Sequence, residues 1–239
     1  MRRLRWTRWR NCREGSEDAK EQGGAVSLLM RAPKESGSWF WDLDDVAEPG
    51  LEPALTTAAR MSDVLSAHGL LDPQALEWSW FEVGKGGLGI DSGLSLLSRS
   101  LGDEELADEI RGCRPVGHPR AEMTGFVVVG SGTWFDAGGT ARSEGRLVEL
   151  LVSPDSIGPS AELSVHHDVW ATCDFRGNPH PAVYARNAPR LAAALRELDA
   201  VLGVEAEPGE PTYFGMPKVY GLEDAELLDG RGPDLTDLM

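Results

Sequence analysis

The sequence predicts an α+β fold, in which an antiparallel β-meander packs against one long amphipathic C-terminal helix beside shorter N-terminal helices. Two observations predict it. Apolar, strand-like segments recur at residues 123–129, 146–152 and 162–171, and the turn-rich segments between them are too short for the crossover of a parallel sheet. Leucines at helical spacing then follow in residues 187–203. These leucines form an apolar stripe along the helix, and we expect the stripe to lie across one face of the meander.

The first elements along the chain are a short strand, a loop and a helix. Residues 26–31 form an apolar run of strand length, and residues 33–53 are predicted to form a loop. Apolar residues recur at helical spacing across residues 52–67, and Gly69 follows as a C-terminal stop. We therefore expect one helix before the second strand.

A second strand is predicted over residues 76–83. Alternation places Trp78 and Trp80 on the same face, where we expect them to pack into the core. Residues 84–93 are rich in glycine and are predicted to break regular structure. They include a G-x-G-x-x-G match, but Asp91 and its neighbours make a poor helix interior, and a dinucleotide site needs a helix there. A glycine loop is the better interpretation.

The chain is expected to form a single domain over residues 25–222. Residues 104–111 are predicted to form a short, exposed acidic helix. Residues 112–120 contain two prolines and are the candidate internal boundary. Residues 223–239 carry six acidic side chains and are predicted to form a flexible tail. Residues 1–24 are predicted to form a disordered basic extension or to reflect an overcalled start.

The last helix has the clearest local signals. Asn187 is a natural N-cap, Pro189 suits the first turn and Gly203 closes the helix. Its apolar stripe consists of four leucines, namely Leu191, Leu195, Leu198 and Leu202.

Charge and composition exclude several classes of function. The formal net charge is −16, and it becomes about −19 without residues 1–24, which hold seven basic and four acidic side chains. A body this acidic repels nucleic acid and anionic membranes. The longest apolar runs are far shorter than the roughly 20 residues of a spanning helix. The three cysteines are too few and too widely spaced for a disulfide framework or a zinc site, so we expect reduced thiols in a cytoplasmic protein.

Residues 1–24 differ in composition from the rest of the chain, because basic side chains outnumber acidic ones there. Six arginines surround Trp6 and Trp9, and no apolar segment follows them, so a secretion signal is rejected. A basic arm with interleaved tryptophans could also contact nucleic acid or lipid headgroups, which is the alternative to a disordered extension.

The densest group of titratable side chains is His166, His167 and Asp168. On a strand, His166 and Asp168 would share one face and could pair, with Cys173 or His180 approaching from the next loop. Adjacent histidines on a strand face opposite ways and cannot bind one metal ion. The spacing supplies no activated nucleophile, so we expect no catalytic residue, metal or cofactor.

A second candidate site combines tryptophans with carboxylates. Trp39 and Trp41 precede Asp42, Asp44 and Asp45, and Trp41 is the tryptophan expected at the surface. Indole rings beside carboxylates suit a surface that binds a cationic partner. These five residues, together with His166 and Asp168, are the predicted binding residues.

Part of the chain resembles a known group of proteins. The segments DVW at residues 168–170, DFRGNP at 174–179, NAPRL at 187–191 and PTYFG at 211–215 resemble uncharacterised actinobacterial proteins associated with immunity proteins of bacterial polymorphic-toxin systems. The likeness covers roughly residues 160–225. It implies a cytoplasmic protein that binds and neutralises a toxin, and it carries no binding residue over to this chain.

Three functions follow as hypotheses. The first is a non-enzymatic acidic binding protein, an immunity protein whose partner is a basic toxin domain and whose oligomeric state the sequence leaves open. The second is a small hydrolase or transferase centred on His166 and Asp168. The third is a structural or phage-like assembly component.

Overall fold

The computed structural model describes residues 28–97, 99–155 and 158–239. Within them it shows a mixed α+β fold with a large antiparallel sheet and three α-helices, the last of which is long. The predicted α+β class is confirmed. The predicted basic extension lies outside the described residues, and so do the first two residues of the strand predicted at 26–31.

The first half of the chain contributes two helices and three strands. They are β1 (Gly37–Asp42), α1 (Leu51–Ala67), β2 (Asp72–Glu82), β3 (Gly86–Ser95) and α2 (Leu106–Gly112). The second half contributes the long helix and the remaining strands. They are β4 (Glu122–Met123), β5 (Phe126–Phe135), β6 (Ala141–Gly145), β7 (Glu149–Ser153), β8 (Ser160–Val165), α3 (Pro181–Leu202), β9 (Glu207–Pro208), β10 (Pro217–Lys218) and β11 (Gly221–Leu222), with 3₁₀ turns at Asp168–Trp170 and Thr236–Leu238.

The described strands form one main sheet in the order β3-β2-β5-β7-β8-β1-β9, with β4 beside β2 and β6 beside β5. Strands β10 and β11 pair separately. All of these pairs are antiparallel. Strands β2 and β3 precede residues 112–120 and β5 follows them, so both sides of the predicted boundary build the same sheet.

One face of the sheet packs against the helices. Helix α1 contacts β2 and β7, and α3 contacts both β5 and α1. The core between these layers is formed by inward-facing residues of every long element and includes the fully buried Trp39, Trp41 and Trp170. Trp78 and Trp80 share the inner face of β2, as predicted, with ring centroids 6.1 Å apart.

Two segments that were predicted to be irregular form strands instead. β1 lies inside the predicted loop 33–53 and pairs with β8 along its whole length, because Trp39 and Trp41 at alternate positions both face the core. β3 lies inside the glycine-rich segment 84–93. Gly84 and Gly86 adopt φ of 84° and 82° in the turn, and the following backbone is ordered by its ladder to β2.

Other element boundaries also differ from the sequence prediction. The predicted strand 162–171 ends at Val165, and of residues 28–31 only Arg31 forms a bridge, to His167. Helix α2 buries three side chains against the core, so the prediction that it is exposed is wrong for that face. The buried side chains are Leu106, Ala107 and Ile110.

Helix α3 begins six residues before the predicted N-cap. Asn187 is fully buried inside the helix, and Pro189 lies in the helix interior instead of the first turn. Asn187 Nδ2 donates to Phe135 O and to Val183 O, both at 2.8 Å, and its Oδ1 accepts from Phe135 N at 2.8 Å. The side chain therefore joins the helix to the end of β5. Gly203 ends the helix as predicted, with φ 79°.

Replacing Asn187 by alanine should lower the free energy of unfolding by about 2 kcal/mol, because both backbone groups of Phe135 lose their partners. Urea unfolding at neutral pH measures this change. Asn187→Asp keeps the acceptor and loses both donors, so it should destabilise the protein as well. Arg186→Ala, which removes an exposed neighbour bonded to Ala182 O, is the control and should change stability by less than about 0.5 kcal/mol. A native-like Asn187→Ala variant would contradict this role.

The turn between α1 and β2 lies directly on β5. Thr133 N donates to Gly69 O at 2.8 Å. A Cβ atom at Gly130 would come within 1.9 Å of Asp72 O, and one at Gly132 within 2.2 Å of Leu70 O. Only glycine permits this approach of one backbone to another.

The acidic segment 223–239 is attached to the body at several points. Leu235 N donates to Phe175 O at 2.8 Å, and Gly232 N donates to Gly177 O at 3.0 Å. Leu235 also packs beside Phe175 and Phe214. The tail therefore covers the loop that precedes α3.

Candidate functional site

The predicted tryptophan site is buried. Trp39 and Trp41 both have 0% exposure, because they occupy the inward positions of β1. Trp39 Nε1 donates to Lys218 O at 2.9 Å, and Trp41 Nε1 donates to Asp199 Oδ1 at 2.8 Å. The surface position expected for Trp41 is wrong, and neither indole ring is available to a partner.

The three predicted aspartates are exposed. Asp42 ends β1 on the outward face, next to Phe40 in the alternation of the strand. Asp44 and Asp45 lie in the turn that follows, and Asp44 N donates to Asp42 Oδ1 at 3.1 Å. The carboxylates therefore lie at the surface beside a sheet face, while the tryptophans of the same segment point into the core.

The outward side of the main sheet forms a continuous surface that we call the open sheet face. Strand register places one residue from each of seven strands in a single row across it. In order, the row is Gly93, Glu77, Val127, Leu151, Glu162, Phe40 and Glu207. The centre of the row is apolar, with Val127 beside Leu151, and Phe40 lies beyond Leu151 on the far side of Glu162. The exposed fractions of Leu151 and Phe40 are 38% and 39%, so both are open to solvent.

Carboxylates surround this apolar centre. Among the carboxylates on the open sheet face are six from strands β1, β2, β3, β7, β8 and β9, which lie beside the guanidinium groups of Arg31 and Arg146. The carboxylates are those of Asp42, Glu77, Asp91, Glu149, Glu162 and Glu207. Glu77 and Asp91 also line a concave region of about 650 Å³ floored by Val127 and Leu151.

Both arginines of this face are engaged by its carboxylates. Arg146 reaches Glu77 at 2.5 Å and Glu149 at 3.3 Å, and Arg31 reaches Glu149 at 2.8 Å. Burial alone would raise the pKa of Glu149, but the hydrogen bonds from both guanidinium groups outweigh it and lower that pKa. Among the described residues, no arginine or lysine lies within ion-pair distance of Asp42, Glu162 or Glu207. No basic side chain of the described residues therefore neutralises these three carboxylates.

The predicted pair of His166 and Asp168 is separated in the structure. Because β8 ends at Val165, the two residues do not share a strand face. Burial lowers the pKa of His166, and the charge of nearby Arg31 lowers it further. The charge of Glu149 opposes this shift. Asp168 starts a 3₁₀ turn and is only 2% exposed. The two side chains therefore lie in different environments.

Asp168 lines a cavity of about 400 Å³ between its own turn, the start of α3 and the end of β5, which we call the Asp168 cavity. Asp168 Oδ1 accepts a hydrogen bond from Met30 N at 3.2 Å. Its Oδ2 makes no hydrogen bond of normal geometry to any described residue. Burial raises the pKa of Asp168 to about 7, with a further contribution from the charge of Asp174. The nearby backbone amides of Met30, Phe175 and Asp168 itself oppose the rise, but none of them reaches Oδ2 with normal hydrogen-bond geometry.

His180 lines the same cavity, whereas Cys173 borders a separate one beneath the acidic tail. His180 Nε2 is 2.8 Å from Ala171 O, and burial lowers the pKa of this histidine. The structure thus brings Asp168 and His180 to one cavity and places His166 and Cys173 outside it. His167, 1% exposed, has a pKa lowered to about 4 by burial.

Within the described ranges, no three histidine, cysteine or acidic side chains are arranged to hold a metal ion. No helix in that part of the chain is both long and apolar enough to cross a membrane. Comparisons with protein-family models, curated proteins and solved structures find no match to this chain.

Proposed function

We propose that this protein is a non-enzymatic acidic binding protein of the cytoplasm that neutralises a basic protein toxin, and that it binds this toxin with the open sheet face. The observation that carries the proposal is the row across the sheet, in which exposed Phe40 and Leu151 are flanked by carboxylates without a described intramolecular cation. The resemblance of residues 160–225 to immunity proteins supports the same function.

The composition of the open sheet face suits a protein partner. Protein interfaces combine an apolar centre with a polar rim, and their energy is concentrated in a few central side chains. Here Leu151 supplies the apolar centre and Phe40 a second exposed apolar side chain, with the carboxylates of Asp42, Glu162 and Glu207 beside them. A strongly acidic surface speeds the association with a basic partner, and this electrostatic attraction weakens as added salt screens the charges.

The catalytic alternative has less support. A hydrolase or transferase centred on His166 and Asp168 needs the imidazole at the carboxyl group. In the structure His166 lies near Arg31 and Glu149, while Asp168 lies in its own cavity. We therefore do not extend the proposal to catalysis by this pair.

The test compares two triple variants that change the net charge equally. One replaces Asp42, Glu162 and Glu207 by their amides, and the control does the same at exposed Glu48, Asp63 and Glu104, away from the open sheet face. Binding to the product of the neighbouring gene, the candidate toxin, is measured at about 50 mM and about 300 mM salt. We expect the first triple variant to slow association about tenfold at low salt and the control to slow it less than about twofold.

Two outcomes would contradict the proposal. Equal effects of the two triple variants would show that the open sheet face is not the binding surface. Absence of binding at low salt, with the protein folded by circular dichroism, would overturn toxin neutralisation itself.

A further inference from the structure

The Asp168 cavity is separate from the open sheet face and has the features of a small-molecule site. We propose that it binds a small organic molecule with a primary ammonium group on an apolar body, and that this ammonium contacts the Asp168 carboxylate. The inference depends on residues that the proposed toxin interface does not use.

One oxygen of the Asp168 carboxyl has no hydrogen-bond partner among the described residues. Asp168 is 2% exposed, and its Oδ2 makes no normal hydrogen bond in the described part of the chain. Buried polar atoms in native proteins are nearly always hydrogen-bonded, and each exception needs a reason. A carboxylate oxygen accepts hydrogen bonds, so the missing partner is a donor.

Two carboxyl groups and one guanidinium group line the Asp168 cavity. Asp174 and Asp168 are acidic, burial lowers the pKa of His180 and so disfavours its charged form, and Arg176 lies on the exposed rim. Asp174 accepts hydrogen bonds from the backbone amides of Arg176 and Asn178 and from Asn178 Nδ2. It therefore adds negative charge while its oxygens are already occupied. This field favours a cationic donor, with Asp168 as its direct contact.

The volume of the Asp168 cavity and its mostly apolar lining suit a small organic molecule. A volume of about 400 Å³ lies within the range of small-molecule sites, roughly 300–1,000 Å³. Apart from the polar groups named above, apolar side chains form most of the lining, among them Met30, Trp134, Val169 and Val183. Since the described residues offer no three-ligand metal set, the cation that fits is an organic amine.

The binding should depend on pH through Asp168. The charged or titratable groups that face it are Asp174, Arg176 and His180 in the cavity and His167 beside it in the chain. Because the pKa of Asp168 is about 7, the ionised fraction of its carboxyl rises about tenfold between pH 6 and pH 8. The affinity for an ammonium group should rise by the same factor.

The experiment measures binding by calorimetry and by ligand-observed NMR to the full chain. The probes are benzylamine and n-butylamine, with benzyl alcohol and n-butanol as neutral isosteres. We expect each amine to bind at least about tenfold more tightly than its alcohol at pH 8, and about tenfold more weakly at pH 6. Asp168→Asn should remove both the amine preference and the pH dependence.

Glu82→Gln is the matched control, because Glu82 is also a buried carboxyl but pairs with Lys85, His118 and Arg120 away from the cavity. It should bind the amines like the native chain. Equal binding of amines and alcohols, or unchanged amine binding by a folded Asp168→Asn variant, would overturn the proposal. Circular dichroism of each variant excludes loss of folding as the cause.

Discussion

At pH 8 the Asp168→Asn variant should be more stable than the native chain by about 4 kcal/mol, and at pH 4 the two should be equal within about 0.5 kcal/mol. The pKa of Asp168 is about 7 in the folded protein, against an ordinary value of 3.8. The folded state therefore binds the proton more tightly than the unfolded state. Its stability falls as pH rises from about 4 to about 7, and asparagine removes this cost.

His167 acts in the opposite direction. Its pKa is lowered to about 4, so the unfolded chain takes up this proton first and stability is lost as pH falls from about 6.5 to about 4. In the native chain the two effects oppose each other between pH 4 and pH 7. Of these two effects the Asp168→Asn variant keeps only that of His167, which lowers its stability by about 3 kcal/mol as pH falls over that range.

Urea unfolding at intervals from pH 4 to pH 8 measures both curves. Asp63→Asn, which changes an exposed carboxyl on α1, is the control and should run parallel to the native curve. If Asp168→Asn were no more stable than the native chain at pH 8, the carboxyl would not be held in an unfavourable environment, and the argument for the Asp168 cavity would lose its energetic basis.

Replacing Asp199 by alanine should lower the free energy of unfolding by about 4 kcal/mol. Asp199 Oδ1 accepts hydrogen bonds from Trp41 Nε1 at 2.8 Å and from Ala206 N at 3.0 Å, and its Oδ2 accepts one from Tyr220 OH at 3.0 Å. The carboxylate thus joins α3, β1, and residues 206 and 220 of the segment that follows α3. Alanine leaves three donors without their acceptor and opens a space beside a fully buried indole.

Urea unfolding at neutral pH measures the loss. Glu197→Ala lies on the same helix, but it removes only a surface pair with His68, and should cost less than about 0.5 kcal/mol. Tyr220→Phe removes one of the three bonds and should cost about 1 kcal/mol. A loss below about 1 kcal/mol in Asp199→Ala would show that this network does not hold the C-terminal segment to the body.

Strong periodicity made some elements predictable. Helix α1 differs by one residue from the predicted start because its apolar spacing persists over the whole helix. Helix α3 was placed too late because Asn187 and Pro189 are typical of a helix start. The deciding interaction, between Asn187 and Phe135, joins residues 52 positions apart and leaves no local pattern. Strand β1 was missed among its Asp- and Pro-rich neighbours, although its alternating tryptophans carried the signal.

The candidate sites were less predictable because both depend on long-range pairing. Glu77 and Glu162 lie on one surface only through the register of β2, β5, β7 and β8. The surface role expected for Trp41 failed because acidic neighbours do not decide which side of a strand faces the core. Asp168 was identified as a candidate residue, but its cavity is built by Met30, Trp134 and α3, which only the fold brings together.

The close contact at Gly130 and Gly132 offers a way to recognise diverged relatives. Any homologue that keeps the α1–β2 turn resting on β5 must keep both positions free of a Cβ atom. Acidic surface residues and cavity residues can change between homologues, whereas these two glycines are required because each lies against the backbone of a neighbouring segment. Homologues can therefore be sought in genomes by a Gly-x-Gly sequence within a strand. Its first glycine should lie some 60 residues after the end of the first helix.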